Sequence, residues 1–202
     1  VKGAETATFT FSESDVIIEG VTEGLVPVVE DAVIQVAASG KTSVIETLTK
    51  EDFMREAISL SCESVRQGGG PFGAVIVKDG KIVARGSNSV TLLNDPTAHA
   101  EVTAIRAACS AMKVFRLEGC ELYTSCEPCP MCLSAAYWAG ISRIYYGNNR
   151  EDAAEIGFGD AFIYDEVVLA PSRRSIPGES LLRREALEAF RLWREKPDKV
   201  EY

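Results

Sequence analysis

One histidine, one glutamate and two cysteines stand at spacings that suit metal-assisted hydrolysis. His99 is the only histidine among 202 residues and lies in His99-Ala100-Glu101, while Cys129 and Cys132 form a Cys-x-x-Cys pair further along the chain. An imidazole and two thiolates are ligands suited to zinc, and three protein ligands leave the fourth tetrahedral position open for water. Both motifs are predicted to begin helices, whose exposed N–H groups favour thiolate over thiol. We therefore predict a catalytic site that holds one Zn2+ per chain.

Glu101 distinguishes a catalytic site from a structural one. A lone histidine is more often a core or surface residue than a ligand, so the three candidate ligands alone do not decide the matter. A water activated by zinc needs a nearby carboxylate that accepts its proton and passes it on. Glu101 lies two residues from His99 and is the predicted proton carrier.

A further cysteine leaves two other interpretations open. Six cysteines in a chain of this size are expected to be metal ligands or buried thiols before disulfides. Cys126 could join the three ligands in a closed Cys3His zinc site, which would hold the fold together and catalyse nothing. Cys126 and Cys129 could also form a thioredoxin-like redox pair. Neither hypothesis gives Glu101 a purpose, and the redox hypothesis also leaves His99 unexplained.

The elements that would position these residues are a helix, a hairpin and then alternating helices and strands. Asp79-Gly80 favours a tight hairpin between two apolar runs. The first helix can be capped by Thr49, and its apolar stripe is predicted to consist of Met54, Ala57, Ile58, Cys62 and Val65. The other predicted elements are strands at 74–77, 81–86, 120–126 and 144–146, helices at 96–113, 128–140 and 182–195, and a helix start at 151–156. This order predicts a mixed sheet with helices packed on both faces.

Charge divides the chain into an acidic extension at 1–46 and a main domain at 47–202. The extension has two basic and eight acidic residues, a net charge of −6, and the main domain has 19 basic and 22 acidic residues, a net charge of −3. Residues 8–11 (TFTF) alternate like a strand, and Pro27 to Ser39 followed by Gly40 favours a helix. The role of the extension is not indicated by its sequence.

Charge and hydropathy also limit the partners and the location. Neither part has the basic balance of a protein that binds phosphates, so nucleic acid is disfavoured as a partner. No stretch approaches the roughly 20 apolar residues of a membrane span, and the first residues lack the apolar segment of a signal peptide. We expect a cytoplasmic protein without a membrane partner. The start at Val1 suggests a processed chain or a fragment of a longer one.

The combination of H-A-E with P-C-x-x-C resembles the signature of zinc-dependent nucleobase deaminases. The chain is therefore similar to the cytidine deaminase-like superfamily over roughly residues 48–202. The resemblance implies a three-layer α/β/α fold with a mixed sheet. It also implies that His99, Cys129 and Cys132 hold zinc and that Glu101 carries protons.

Longer stretches narrow the resemblance to bacterial guanine deaminases and the related plant guanosine deaminases. They are GGPFGAVIVKDG (69–80), NDPTAHAEVTAIRAAC (94–109), LYTSCEPCPMC (122–132), FIYDE (162–166) and the terminal Glu201-Tyr202. In that subfamily an asparagine at the position of Asn88 hydrogen-bonds the purine, and a phenylalanine at the position of Phe72 lines the base pocket. An acid at the position of Asp160 is a second proton carrier. The subfamily usually has two adjacent aspartates at this last position, whereas this chain has Gly159-Asp160.

The same resemblance implies a homodimer and a reaction. A C-terminal segment ending in Tyr202 would close over the active site of the partner subunit in a swapped dimer. The expected reaction is hydrolytic deamination of guanine to xanthine and ammonia, with attack at C2 of a small purine base. The alternatives are a guanosine deaminase, a tRNA or single-strand adenosine deaminase, and a non-catalytic zinc module.

Overall fold

The chain divides into two compact units, Val1–Thr49 and Lys50–Tyr202. The computed structural model describes residues 48–201 and, of the preceding 47, the backbone of four strands. Strands β1 (Thr8–Phe11) and β2 (Val16–Glu19) form one antiparallel pair, and β3 (Ala32–Val36) and β4 (Thr42–Glu46) form another.

The strand expected at residues 8–11 is confirmed, and the helix expected between Pro27 and Ser39 is wrong. Within this stretch the described residues Ala32–Val36 form strand β3, because the AVIQV sequence is rich in β-branched residues, which favour extended backbone. Gly40 lies outside the described residues.

The second unit contains seven α-helices, a short 3-10 helix at Pro171–Arg173 and four strands in its described part. In chain order the α-helices and strands are α1 (Lys50–Arg66), β5 (Gly73–Lys78), β6 (Lys81–Ser87), α2 (Val90–Leu93), α3 (Ala100–Met112), β7 (Cys120–Cys126), α4 (Pro130–Ala139), β8 (Arg143–Asn148), α5 (Arg150–Glu155), α6 (Ala161–Val167) and α7 (Arg183–Glu195). The predicted strand at 120–126 is confirmed with the same bounds, and the predicted helices at 128–140 and 182–195 are confirmed within two residues. Helices α2 and α6 were not predicted.

The four strands of this unit form one mixed sheet in the order β6-β5-β7-β8. Strand β5 pairs antiparallel with β6 and β7, and β7 pairs parallel with β8. Asp79 and Gly80 turn the β5-β6 hairpin with φ values of 49° and 70°, as a two-residue type I′ turn requires. The expected hairpin and the expected mixed sheet are therefore both confirmed.

Helices cover both faces of the sheet and produce three layers. On one face, Phe53 of α1 packs on Tyr123 of β7, with ring centroids 5.2 Å apart. On the other face, small residues of α3 and α4, among them Ala104 and Ala136, pack on Leu122. Successive residues of β7 thus face opposite layers, and the three-layer α/β/α fold is confirmed.

The buried face of α1 differs from the predicted stripe. Ile58, Cys62 and Val65 are exposed, and the buried residues of this helix are Phe53, Ala57 and Ser64. Two apolar stripes overlap on this helix. The stripe with small residues lets α1 lie close to the sheet, and the Ser64 hydroxyl donates a hydrogen bond to the carbonyl oxygen of Asn88.

Two helix starts lie close together in this fold. His99 is the N-cap residue of α3, and Cys129 is the N-cap residue of α4, with Pro130 at the first helical position. The sheet and the α3–α4 packing bring these two starts within contact distance. Among residues 48–201, no helix is both long and apolar enough to cross a membrane.

Candidate active site

The three predicted metal ligands converge at the two helix starts. His99 Nδ1 lies 3.6 Å from Cys129 Sγ and 3.5 Å from Cys132 Sγ. In the described part of the chain, these three are the group of His, Cys, Asp and Glu side chains that could hold a metal ion.

The donor atoms fit zinc in both type and spacing. With Zn–S of about 2.3 Å and Zn–N of about 2.0–2.1 Å, the edge between sulfur and nitrogen in a tetrahedron is about 3.5 Å. The two observed separations from His99 Nδ1, 3.6 and 3.5 Å, match that edge. Three ligands of this kind would leave the fourth position of a zinc ion free for water.

Interactions among the three ligands change their pKa values. A hydrogen bond from Cys132 lowers the pKa of Cys129 to about 4, and the same bond raises the pKa of Cys132. The interaction with Cys129 raises the pKa of His99. One thiolate is thus already favoured at the N-terminus of α4, which is the form of cysteine that binds metal.

Cys126 stands apart from the ligand group. Its buried thiol donates a hydrogen bond to the carbonyl oxygen of Asn149 at 3.5 Å, and burial raises its pKa to about 11. Cys126 is not part of the group whose ligand atoms all lie within 4.8 Å of one another, and its thiol bonds a backbone carbonyl instead. The arrangement therefore favours a three-ligand site over a closed Cys3His site.

Glu101 is buried beside the ligands, with 5% of its surface exposed. Its Oε2 lies 3.3 Å from Cys132 Sγ, and its Oε1 accepts a hydrogen bond from Thr124 Oγ1 at 3.3 Å. Burial raises the pKa of Glu101, as removal from water does for a carboxyl group. A carboxyl with a raised pKa can both accept and return a proton near neutral pH.

A cavity of about 710 Å³ opens over this group. The predicted residues Phe72, Asn88 and Asp160 line it, together with His99, Glu101 and Cys129. Tyr202, the remaining predicted site residue, lies outside the described residues.

Asn88 is held by backbone groups around it. Its Oδ1 accepts hydrogen bonds from the N–H groups of Gly70 and Val90, both at 3.3 Å. Because its oxygen already has two donors, the amide nitrogen of this buried side chain is the atom available to a bound molecule. Asn88 can therefore donate a hydrogen bond in a fixed direction.

Phe72 gives the cavity an aromatic surface, and Asp160 gives it a carboxyl group. The ring of Phe72 meets that of Phe158 edge-on, with centroids 5.0 Å apart and an interplanar angle of 89°. Asp160 is half-buried, and burial together with the nearby Cys129 raises its pKa. The cavity thus combines an aromatic surface with two carboxyl groups whose pKa values are both raised.

Comparison with known proteins agrees with this geometry. The model of the family described as the cytidine and deoxycytidylate deaminase zinc-binding region matches residues 47–148. A curated guanine deaminase of Bacillus subtilis is 53% identical over 156 residues, which is 77% of this chain and 100% of that protein. The chain belongs to this zinc-binding deaminase family.

Two further comparisons place the chain among the deaminases. The crystal structure of guanine deaminase from Bacillus subtilis has a TM-score of 0.75 at 52% identity and covers 77% of this chain and 99% of that one. A tRNA-specific adenosine deaminase of Agrobacterium fabrum is 52% identical over 92 residues, 46% of this chain and 60% of that protein. The first likeness covers about three quarters of the chain, whereas the second covers less than half of it.

Some residues of the deaminase site were not predicted. Thr124 holds Glu101, Phe158 packs on Phe72, and Arg150 lines the cavity. Thr124 could have been found from alternation, because Leu122 faces α3 and the residue two positions on must face the same helix. Arg150 is the first residue of α5, and Phe158 lies between α5 and α6, where the sequence has no periodicity that predicts orientation.

Proposed function

We propose that this chain catalyses the hydrolytic deamination of guanine to xanthine and ammonia. The observation that carries the proposal is Glu101, a buried carboxyl group that lies 3.3 Å from the sulfur of Cys132 in a cavity with aromatic walls. A structural zinc site has no use for such a group. The relative from Bacillus subtilis that matches over its whole length is a guanine deaminase, which supports guanine as the base.

His99, Cys129 and Cys132 would hold the zinc ion in this proposal. When bound, zinc supplies a Lewis acid that brings the pKa of a coordinated water toward neutrality. Glu101 takes a proton from the attacking water as it adds to C2 of the purine. Glu101 then donates a proton to the ring nitrogen, which its raised pKa favours.

The cavity walls would bind and orient the purine. Asn88 donates from its amide nitrogen to an acceptor at the purine edge, since its oxygen is occupied by backbone donors. Phe72, supported edge-on by Phe158, provides an apolar surface for the flat base. Asp160, which lines the cavity, would protonate or orient the departing amino group, and its raised pKa supports this role.

Charge argues against a polynucleotide as substrate. Residues 47–202 have a net charge of −3, while binding to a phosphate backbone requires clustered lysine and arginine. The tRNA-specific relative matches less than half of this chain. A free base or a nucleoside remains the substrate class that the charge of this unit favours.

A homodimer is part of the proposal. Helices α6 and α7 bury none of their residues, and the segment that carries them exposes large apolar side chains. The exposed side chains include Phe162, Val168, Ile176, Leu181, Phe190 and Trp193. Apolar surface of this extent is typical of a segment that packs on a second subunit. Sedimentation should give a dimer, and a monomer with full activity would contradict this part of the proposal.

A substrate panel tests the reaction directly. Purified zinc-loaded protein is incubated with guanine, guanosine, adenine, adenosine, cytosine and a tRNA anticodon stem-loop, and ammonia release is measured with Glu101→Gln as the inactive control. The proposal expects ammonia from guanine with xanthine as the product. If guanosine is turned over as fast as guanine or faster, or if only the stem-loop is turned over, guanine is not the preferred substrate and the proposal is wrong.

A further inference from the structure

Asp160 lies at the start of a helix with little apolar anchorage. It is the N-cap residue of α6, and no residue of that helix is buried. Within one chain, apolar packing on the core therefore contributes little to the position of α6, so its polar contacts become important. Tyr164 and Arg150 make the contacts between α6 and residues 127–129, the loop that contains Cys129.

Tyr164 connects α6 to the residue before a metal ligand. Its hydroxyl donates a hydrogen bond to the carbonyl oxygen of Pro128 at 3.2 Å, and Pro128 precedes Cys129. Tyr164 lies one helical turn after Asp160. The hydrogen bond of its hydroxyl therefore sets the distance between the Asp160 carboxyl and the 127–129 loop.

Arg150 holds the same two segments from the other side. Its guanidinium lies over the ring of Tyr164, with Cζ 4.6 Å from the ring centroid. Its Nε donates to Glu127 Oε2 at 3.3 Å, and a second nitrogen pairs with the other oxygen of Glu127. A planar guanidinium can make both contacts at once, whereas a lysine ammonium cannot.

We propose that Tyr164 and Arg150 are positioning residues that clamp α6 to the 127–129 loop and thereby hold Asp160 in the active-site cavity. Glu127 and the carbonyl oxygen of Pro128 are the loop side of the clamp. The role given to Asp160 rests on the proposed function, whereas the clamp itself rests on the contacts described above.

Hydrogen exchange tests the clamp without any substrate. Amide exchange of α6 is compared among the wild type, Tyr164→Phe, Arg150→Gln and Arg150→Lys, with the exposed Tyr137→Phe and Arg66→Gln as matched controls. Loss of the Tyr164 hydroxyl bond should speed exchange in α6 by about fivefold, the scale of one hydrogen bond, and leave α3 unchanged. Unchanged exchange in α6 in both Tyr164→Phe and Arg150→Gln would overturn the clamp. Arg150→Lys should speed exchange in α6 as much as Arg150→Gln does, because an ammonium cannot make both contacts of the planar guanidinium.

A double-mutant cycle tests whether the clamp acts through Asp160. Tyr164→Phe should lower kcat for guanine by about fivefold in the wild type, but by less than about twofold in an Asp160→Asn background, because a residue that acts through another loses its effect with it. Equal losses in the two backgrounds would overturn the positioning role. If the wild type does not deaminate guanine, the proposed function fails, and hydrogen exchange still decides the clamp.

Discussion

The hydroxyl of Thr124 donates a hydrogen bond to Glu101 Oε1 at 3.3 Å, and both side chains are buried. Thr124 belongs to the central strand β7, and Glu101 to the first turn of α3. The other oxygen of Glu101 faces Cys132 at 3.3 Å. The carboxyl group is thus held between the sheet and the ligand group, where it also lines the cavity.

Thr124→Val should slow catalysis by removing this donor while keeping the shape of the side chain. We expect kcat to fall by about tenfold, the lower end of the effect of losing a group that supports a metal site, with zinc content unchanged. Thr124→Ser keeps the hydroxyl and should retain most of the activity. Equal losses in the valine and serine variants would indicate a packing effect instead.

Glu101→Gln should separate proton transfer from metal binding. The amide keeps the size of the side chain but cannot accept the proton, so kcat should fall by at least about 10²-fold, the scale for a positioned acid–base group. Zinc content by mass spectrometry and the melting temperature should stay near the wild-type values. The exposed Glu118→Gln is the matched control. Near-normal turnover of Glu101→Gln would remove this residue from the mechanism.

Cys126→Ser should retain both zinc and activity, because Cys126 donates to Asn149 and a serine hydroxyl can do the same. Cys129→Ser, three residues on, should lose most of its zinc, since a hydroxyl is a weak zinc ligand. Metal content of the two variants purified in parallel provides the measurement. Loss of zinc from Cys126→Ser would support the closed four-ligand site.

Gly70→Ala should weaken guanine binding through Asn88. A Cβ at Gly70 would lie 2.9 Å from both Cγ and Oδ1 of Asn88, so the amide must move. Misplacement of a substrate-orienting group should raise KM for guanine by about tenfold. In an Asn88→Ala background the added methyl has room, and the same change should have little effect. A similar rise in KM in both backgrounds would show that Gly70 acts elsewhere.

The sequence predicted those features whose signals are local. The Asp79-Gly80 turn, strand β7 and the helix starts at His99 and Cys129 each depend on residue types within a few positions. The three-ligand group was predicted from the ligand types of His99, Cys129 and Cys132 and from the H-A-E and P-C-x-x-C patterns, which are also local. The features that the sequence did not predict depend on tertiary packing.

The incorrect and missing predictions have physical causes. Helix α1 offered two overlapping apolar stripes, and the hydrogen bond of the buried Ser64 helped to select the one without Ile58. Helix α6 was not predicted because it is seven residues long and buries none of them, so it has no apolar periodicity. The pairing of Thr124 with Glu101 joins residues 23 positions apart and requires the register of α3 on the sheet.

Titration of zinc against guanine turnover tests the central claim most directly. Metal-free protein is prepared with a chelator, zinc is added in increments, and the conversion of guanine to xanthine is followed by absorbance. The account predicts activity that rises in proportion to zinc and reaches its plateau at one equivalent per chain, the capacity of the group formed by His99, Cys129 and Cys132. Full turnover without zinc, or no xanthine at one equivalent per chain, would contradict it.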